Sequence, residues 1–222
     1  MKDASLFELQ SVPCQVLISM ENQEERRRNA MRQFAGLGLN VEWKVPIKIA
    51  DIQWDKLPAA YREHPKYASQ TLTILDVLDE VESKGAESFA LFEDDIVFHP
   101  HTLLLLPQIV VPEDWKFFYI GGRNNGSKQY VSKGLVKSTF VSDLHAVVIN
   151  SEIIHLLRRV LVDGSMNTHW ADARIASLHK KYPAYLCRPN LAWQSFHADE
   201  SGAGVGYSNY YADGSVKPGQ GD

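Results

Sequence analysis

Cysteine is nearly absent from this chain: Cys14 and Cys187 are the two among 222 residues. They form no CxxC pair, and their number is too small for a zinc ribbon or a disulfide scaffold, so both read as reduced core residues of a cytosolic protein. Long hydrophobic runs are missing as well. The longest candidate, around Leu103 to Val111, is interrupted by Pro107 and falls short of the roughly 18 apolar residues that cross a bilayer. Met1 to Ser5 lack the charged start, apolar run and cleavage site of a signal peptide, so the expectation is a cytoplasmic protein without a transmembrane segment. There is no excess of positive charge either. Lys and Arg total 23 against 27 Asp and Glu, a formal net charge of -4, which disfavours nucleic-acid binding by the whole surface but permits a local basic groove. No internal repeat, domain linker or GxGxxG fingerprint is found, and nothing in the sequence sets the oligomeric state.

What remains is a chain with 45% hydrophobic residues, long enough for one substantial α/β domain and short for two. Gln15–Met20 reads as a buried strand, Glu21–Phe34 as an amphipathic helix punctuated by Gly36 and Gly38, and Val41–Ile49 as a second strand. A β-α-β opening of this kind builds a mostly parallel sheet flanked by helices. Tyr67–Ser83 is the clearest helix, with Leu72, Leu75, Leu78 and Val81 as its core stripe, Ile74 and Val77 widening it, and Lys84-Gly85 as its stop. Phe89–Phe92, Phe117–Ile120 and Phe140–Ile149 read as further strands. A helix follows from about Ser151, the expected N-cap, to Leu161, and another lies near Trp170–His179 before a segment Tyr185–Trp193. The domain is expected to span residues 1–200. Glycines crowd 201–222, which reads as a flexible tail, ordered as a lid when ligand binds; Tyr207, Tyr210 and Tyr211 could stack on a sugar or base there.

The most informative run is Phe92-Glu93-Asp94-Asp95-Ile96. Three carboxylates flanked by apolar residues need water or a strong counter-charge, because an unpaired buried carboxylate is costly. A position just after a parallel strand is also where open α/β sheets put ligands. An oxygen-preferring cation, Mn²⁺ or Mg²⁺, answers the charge problem and can bridge the phosphates of a nucleotide diphosphate. A solvated acidic turn is the alternative reading. Gly121 to Gly126 follows a strand and can bring backbone close to a ligand, with Arg123 available to phosphate or acceptor; an ordinary turn is the competing account.

In this context the sequence resembles glycosyltransferase family 25, the lipopolysaccharide and collagen sugar transferases of GT-A fold. Val16 to Met20 with Glu21 to Arg28 resembles the family's first strand and helix start. Tyr67-Ala68-Ser69-Gln70 matches the helix near its donor site, and Phe92-Glu93-Asp94-Asp95 its acidic metal motif. Ser142 to Ile149, Trp170-Ala171-Asp172 and Pro189 to Gln194 match its acceptor-side blocks. The likeness covers residues 14 to 200. Departures occur at Ser19 and Glu21, where Asn and Asp are usual, and at Ser69-Gln70-Thr71, where a Ser-His pair is common.

The resemblance implies a single-domain GT-A-like, Rossmann-like fold and a metal-dependent hexosyltransferase using a UDP-sugar or similar nucleotide-diphosphate sugar. Asp95 and Glu93 are implied metal ligands, and analogy with other GT-A enzymes adds His197. Ile18, Met20, Arg26, Gln70, Asp94 and Arg123 are implied donor contacts. Asp172 is the implied general base of an inverting transfer; a helix-start Asp favoured by the macrodipole is its plain structural alternative. The expected acceptor is a glycan such as a bacterial surface polysaccharide, as in lipopolysaccharide biosynthesis. A hydroxymethylated base of viral DNA, a metal-dependent phosphoesterase or nuclease, and a turnover-less binding module remain open.

Overall fold

Cys14–Ile18 forms strand β1 because its apolar run can be buried on both faces, as an inner parallel strand requires; all of it but Ile18 is buried. A computed structural model describes residues 7–194. His197 and the 201–222 tail therefore lie outside the described residues, as do the expectations attached to them. Helix α1 (Glu24–Gly36) follows with Glu24 and Glu25 in its first turn, where the helix dipole favours acids. Strand β2 is only Glu42–Lys44, much shorter than expected, because Val45 to Ile49 peel away from the sheet to line a cavity. Helix α2 (Pro65–Ser83) starts two residues earlier than expected, with Pro65 at its first turn, where the missing N–H costs nothing. Strand β3 (Ser88–Glu93) then pairs in parallel with β1.

These three strands stand in the order β2-β1-β3. The chain leaves β1 to one side and returns to the other, so crossovers of the same hand put α1 and α2 on opposite faces. Ala30 and Phe34 of α1 pack with Leu17, Phe92 and Phe118. Ile74, Val77, Leu78 and Val81 of α2 pack with Val16, Phe89 and Leu91 on the other face. Each of the larger of these buried side chains contributes about 1.5–3 kcal/mol. The stripe of α2 is turned from the expected one. Leu72 and Leu75 are half-buried at its border, while Thr71 and Thr73 are buried instead, because Thr73 bonds the Ser69 carbonyl and the Ile47 amide.

The second half is less regular. Strand β4 (Ile96–Phe98) and short helix α3 (Thr102–Leu105) precede β5 (Phe117–Asn124), and a hairpin of β6 (Lys128–Ser132) and β7 (Leu135–Ser138) follows. Strand β8 (Val141–Asn150) leads to α4 (Ile154–Leu161), then α5 (Ala171–Ala176), β9 (Ala184–Cys187) and β10 (Ala192–Gln194). The eight-stranded sheet runs β2-β1-β3-β8-β5-β9-β7-β6, with β10 paired to β4 beside it. Strands β8 and β7 oppose the common direction of the other six, giving a mixed α/β sheet flanked by helices. Three expectations are corrected. The N-cap before α4 is Asn150, which accepts the Glu152 N–H, not Ser151. The helix near Trp170–His179 is a six-residue α5 continued as a 3-10 turn. The strand from Phe117 runs through Gly121-Gly122 rather than ending there. No helix of the described residues is long and apolar enough to cross a membrane.

Candidate active site

The C-terminal ends of β1, β2 and β3 open onto a cavity of about 660 Å³ at the point where strand order switches sides, the general ligand position of open α/β sheets. Ile18, Met20, Pro46 and Ile49 supply apolar walls, and Arg26, Lys48 and Lys66 supply cations. Ser69 fixes one rim by donating to the Ile47 carbonyl at 2.5 Å. Beside it, the Trp43 indole N–H donates to the Ser19 carbonyl at 2.9 Å, and the Arg27 guanidinium lies 3.7 Å over the Trp43 ring.

All three carboxylates of the acidic run border this cavity. An extended chain would turn Glu93 and Asp95 to one side and Asp94 to the other. Glu93 ends β3 and the chain turns at Asp94-Asp95, so strand alternation does not apply. Asp94 accepts a 2.6 Å hydrogen bond from the Ser19 hydroxyl and pairs with Arg26 at 3.7 Å. Arg26 is therefore turned into the cavity instead of standing as a surface helix charge. Glu93 sits between two neutral amides, Gln70 Nε2 at 3.0 Å on one oxygen and Gln194 Nε2 at 3.3 Å on the other. Burial pushes its carboxyl well above the usual range, and Asp95, Asp143, Asp172 and Asp94 push it further. Burial raises Asp95 to about 6 against the opposing pull of Arg26.

Asp95 Oδ1 is buried with no hydrogen-bond partner. A buried orphan oxygen in an otherwise satisfied site is costly unless something binds it. Among the described residues no three Asp, Glu, His or Cys side chains form a ready-made metal cluster. A hard cation that takes its remaining oxygens from phosphates and water needs only one or two protein carboxylates. Asp95, with Glu93 beside it, has the chemistry for that.

A second cavity of about 470 Å³ shares Tyr67, Gln70, Glu93 and Gln194 with the first, so Glu93 lies on a common floor. Asp172, Asp143, Arg123 and Trp170 line its other side. Asp172 stands in the first turn of α5, where the helix dipole favours an acid, as its structural alternative expects; the cap position is Trp170, which makes no side-chain cap. One Asp172 oxygen accepts the Ala173 N–H at 2.8 Å, and the other accepts the Asp143 N–H at 3.2 Å. Asp143 has φ +70°, a left-handed conformation that costs energy outside glycine and concentrates at functional sites. Its side chain pairs with Arg123 at 3.7 Å. Trp170 is 51% exposed. It meets His169, which stacks on His64 at 3.7 Å and lies 4.7 Å from Tyr67, so these rings form one aromatic wall.

Nine of the sequence-derived residues thus border one or both cavities: Ile18, Met20, Arg26, Asp94 and Asp95 the first, Gln70 and Glu93 both, Asp172 and Arg123 the second. His197 lies outside the described residues. The glycines of Gly121-Gly122 serve a different purpose from the expected one. A Cβ on Gly121 would stand 1.9 Å from the Ala192 carbonyl oxygen, so the close approach is by the protein's own chain, not by a ligand. Asp143, Tyr67, Trp170 and Gln194 lie in segments that carry the resemblance but have no individual role there; Asp143 has a signal of its own, an acid inside the apolar run Val141 to Ile149.

No protein-family model matches the chain, and no curated protein does, so the family-25 resemblance rests on the residues named above. Solved structures do show likeness. A glycosyltransferase involved in glycosylation of the major capsid of PBCV-1 is 12% identical, with TM-score 0.42 over 76% of each chain. A protein from STIV is 12% identical, with TM-score 0.46 over 78% of this chain and 79% of that one. The inositol-1-phosphate CTP transferase from T. maritima is 13% identical, with TM-score 0.34 over 76% of this chain and 63% of that one. Likeness at this level assigns no activity to the present chain.

Proposed function

We propose that this protein is a metal-dependent glycosyltransferase of the family-25 type, moving a sugar from a nucleotide-diphosphate donor, a UDP-sugar or similar, to a hydroxyl of a glycan such as a bacterial surface polysaccharide. The observation that carries the reading is the pair of cavities joined at Glu93, one sized and lined for a nucleotide and the other carrying Asp172. The apolar walls of the first suit a base, and Arg26, Lys48 and Lys66 suit phosphates. Asp95 and Glu93 would hold Mn²⁺ or Mg²⁺, which neutralises charge on a departing diphosphate. Asp94, fixed by Ser19 and Arg26, is oriented for a ribose or sugar hydroxyl.

In the second cavity the wall of Tyr67 and Trp170 offers an apolar face to a sugar ring, and polar groups stand opposite. Asp172 accepts the proton of the acceptor hydroxyl as its oxygen bonds to the anomeric carbon and the bond to the diphosphate breaks. The Asp143 and Ala173 amides hold the carboxylate in place for this step, and the direct displacement inverts the anomeric centre.

Thermal-shift measurements against a panel of nucleotide sugars with Mn²⁺, followed by assay of slow donor hydrolysis, test the reading. A true donor at a hundred times its Kd stabilises the fold by about 2.7 kcal/mol. Turnover of simple phosphate esters without response to any nucleotide sugar would replace the transferase with a phosphoesterase. Neither response would leave a binding module.

A further inference from the structure

A third cavity of about 430 Å³ opens beside the second, across the ends of β5, β8 and β9. Among the described residues, Arg123, Lys128 and Arg188 line it against a single carboxylate, Asp143, in a chain whose net charge is -4. Cations gathered in a concave wall focus a positive field and select anions. His145 also lines it, 3% exposed, and its Nδ1 has no hydrogen-bond partner. Burial pushes this imidazole down to about 4, so the ring is neutral. With Nε2 facing the Ala192 carbonyl at 3.4 Å, Nδ1 keeps an unused acceptor lone pair inside the wall. The Asn190 amide spans the wall by donating to the Gly122 carbonyl at 3.0 Å. This cavity shares Arg123, Asn125, Asp143 and Gln194 with the one that holds Asp172.

We infer that this third cavity is an acceptor subsite for a sugar bearing an anionic group, phosphate or carboxylate, with Lys128 and Arg188 receiving the charge. The inference rests on the transferase reading only in calling the ligand an acceptor; the anion site itself stands on its lining. It names a feature the acceptor must carry: an acidic or phosphorylated residue next to the hydroxyl that is glycosylated.

Calorimetric titration of the full chain with glucose 6-phosphate, glucuronate, glucose and inorganic phosphate tests it. Glucose 6-phosphate and glucuronate should both bind at least about tenfold more tightly than glucose, since a charge-assisted contact is worth that much, and added salt should weaken them. The double variant Lys128→Gln/Arg188→Gln should lose about tenfold or more for these two ligands, with nucleotide-sugar binding in the first cavity as the control for its fold. Equal binding of glucose and glucose 6-phosphate, undiminished binding by the double variant, or inorganic phosphate binding as tightly as the sugar phosphate would each overturn the subsite. If anionic sugars bind and no nucleotide sugar does, the transferase reading falls and the anion site stands. If nucleotide sugars bind and anionic sugars do not, the subsite alone falls.

Discussion

The two halves of the sheet solve the same problem by different means. On the side of β2, β1 and β3 all pairing is parallel, each strand ends where the next loop must turn, and the cavity follows from topology alone. On the side of β8, β5 and β9 the pairing is mixed, and the β5–β8 register shifts on either side of Gly121. One residue, Asp143, is held left-handed, and a backbone carbonyl packs where Gly121 has no side chain. The first half makes a site from regular geometry. The second makes one from local irregularities, each requiring a particular residue. If that contrast is right, substitutions should separate the two sides cleanly.

The largest effect should come from Asp95→Asn. Removing the charge beside the orphan oxygen should cut transfer by about 10³-fold, the worth of several kcal/mol of charge stabilisation. The melting temperature of the metal-free protein should be unchanged or raised, since a repelling charge is gone. Activity assays across a Mn²⁺ series with parallel calorimetry check this. Near-normal turnover at low Mn²⁺ would remove the metal role.

Asp172→Asn should lose about 10²–10⁴-fold in transfer while nucleotide-sugar affinity stays within about twofold, because Asp172 borders only the second cavity. Steady-state kinetics and donor titration on the same variant separate base from support. Undiminished transfer would return Asp172 to holding Asp143 and the start of α5.

Gly121→Ala should destabilise the fold by about 1–3 kcal/mol or more, because the new methyl meets backbone, which cannot rotate away. Urea unfolding measures it. The same change at Gly36, where nothing stands within 4 Å of the added carbon, should be stabilising or neutral within about 1 kcal/mol.

These outcomes bear on how much could be read from the sequence. The parallel half was legible because β1 and β3 are apolar runs, β3 ended by an acid, and its helices carry a 3.6-residue stripe; β2, only Glu42–Lys44 and largely exposed, was overextended. Glu93, Asp94 and Asp95 stood out because three adjacent acids between apolar residues are hard to explain otherwise. The hairpin β6–β7 was not legible: all five residues of β6 are exposed, so it has no buried face to impose alternation. Pairs such as Tyr119 and His179, 3.3 Å apart and 60 positions distant, leave no local trace. Nor does Gln194, whose meaning depends on Glu93, 101 positions earlier.

The smallest effect belongs to stability against acid on the regular side. Lys84 and then Lys44, by hydrogen bonding, hold the Glu80 carboxyl down at about 2, below its ordinary 4.5. A depressed folded value means that this contribution is complete above about pH 4.5 and fades as pH falls toward 2. Glu80→Gln should therefore lower stability at pH 7 and leave it nearly unchanged at pH 2. Thermal unfolding across that range checks it, and equal loss at both ends would count against the ion pairs that tie β2 to α2.

The grip of Gln194 on Glu93 also has a meaning in time. Residues 14 to 93 contain the three parallel strands and both of their helices, and the ribosome makes them before the rest of the sheet. The floor between the cavities is finished only when the chain has reached residue 194 and β10 has docked on β4. A growing polypeptide can thus carry much of the first cavity long before it can close the floor that the two cavities share.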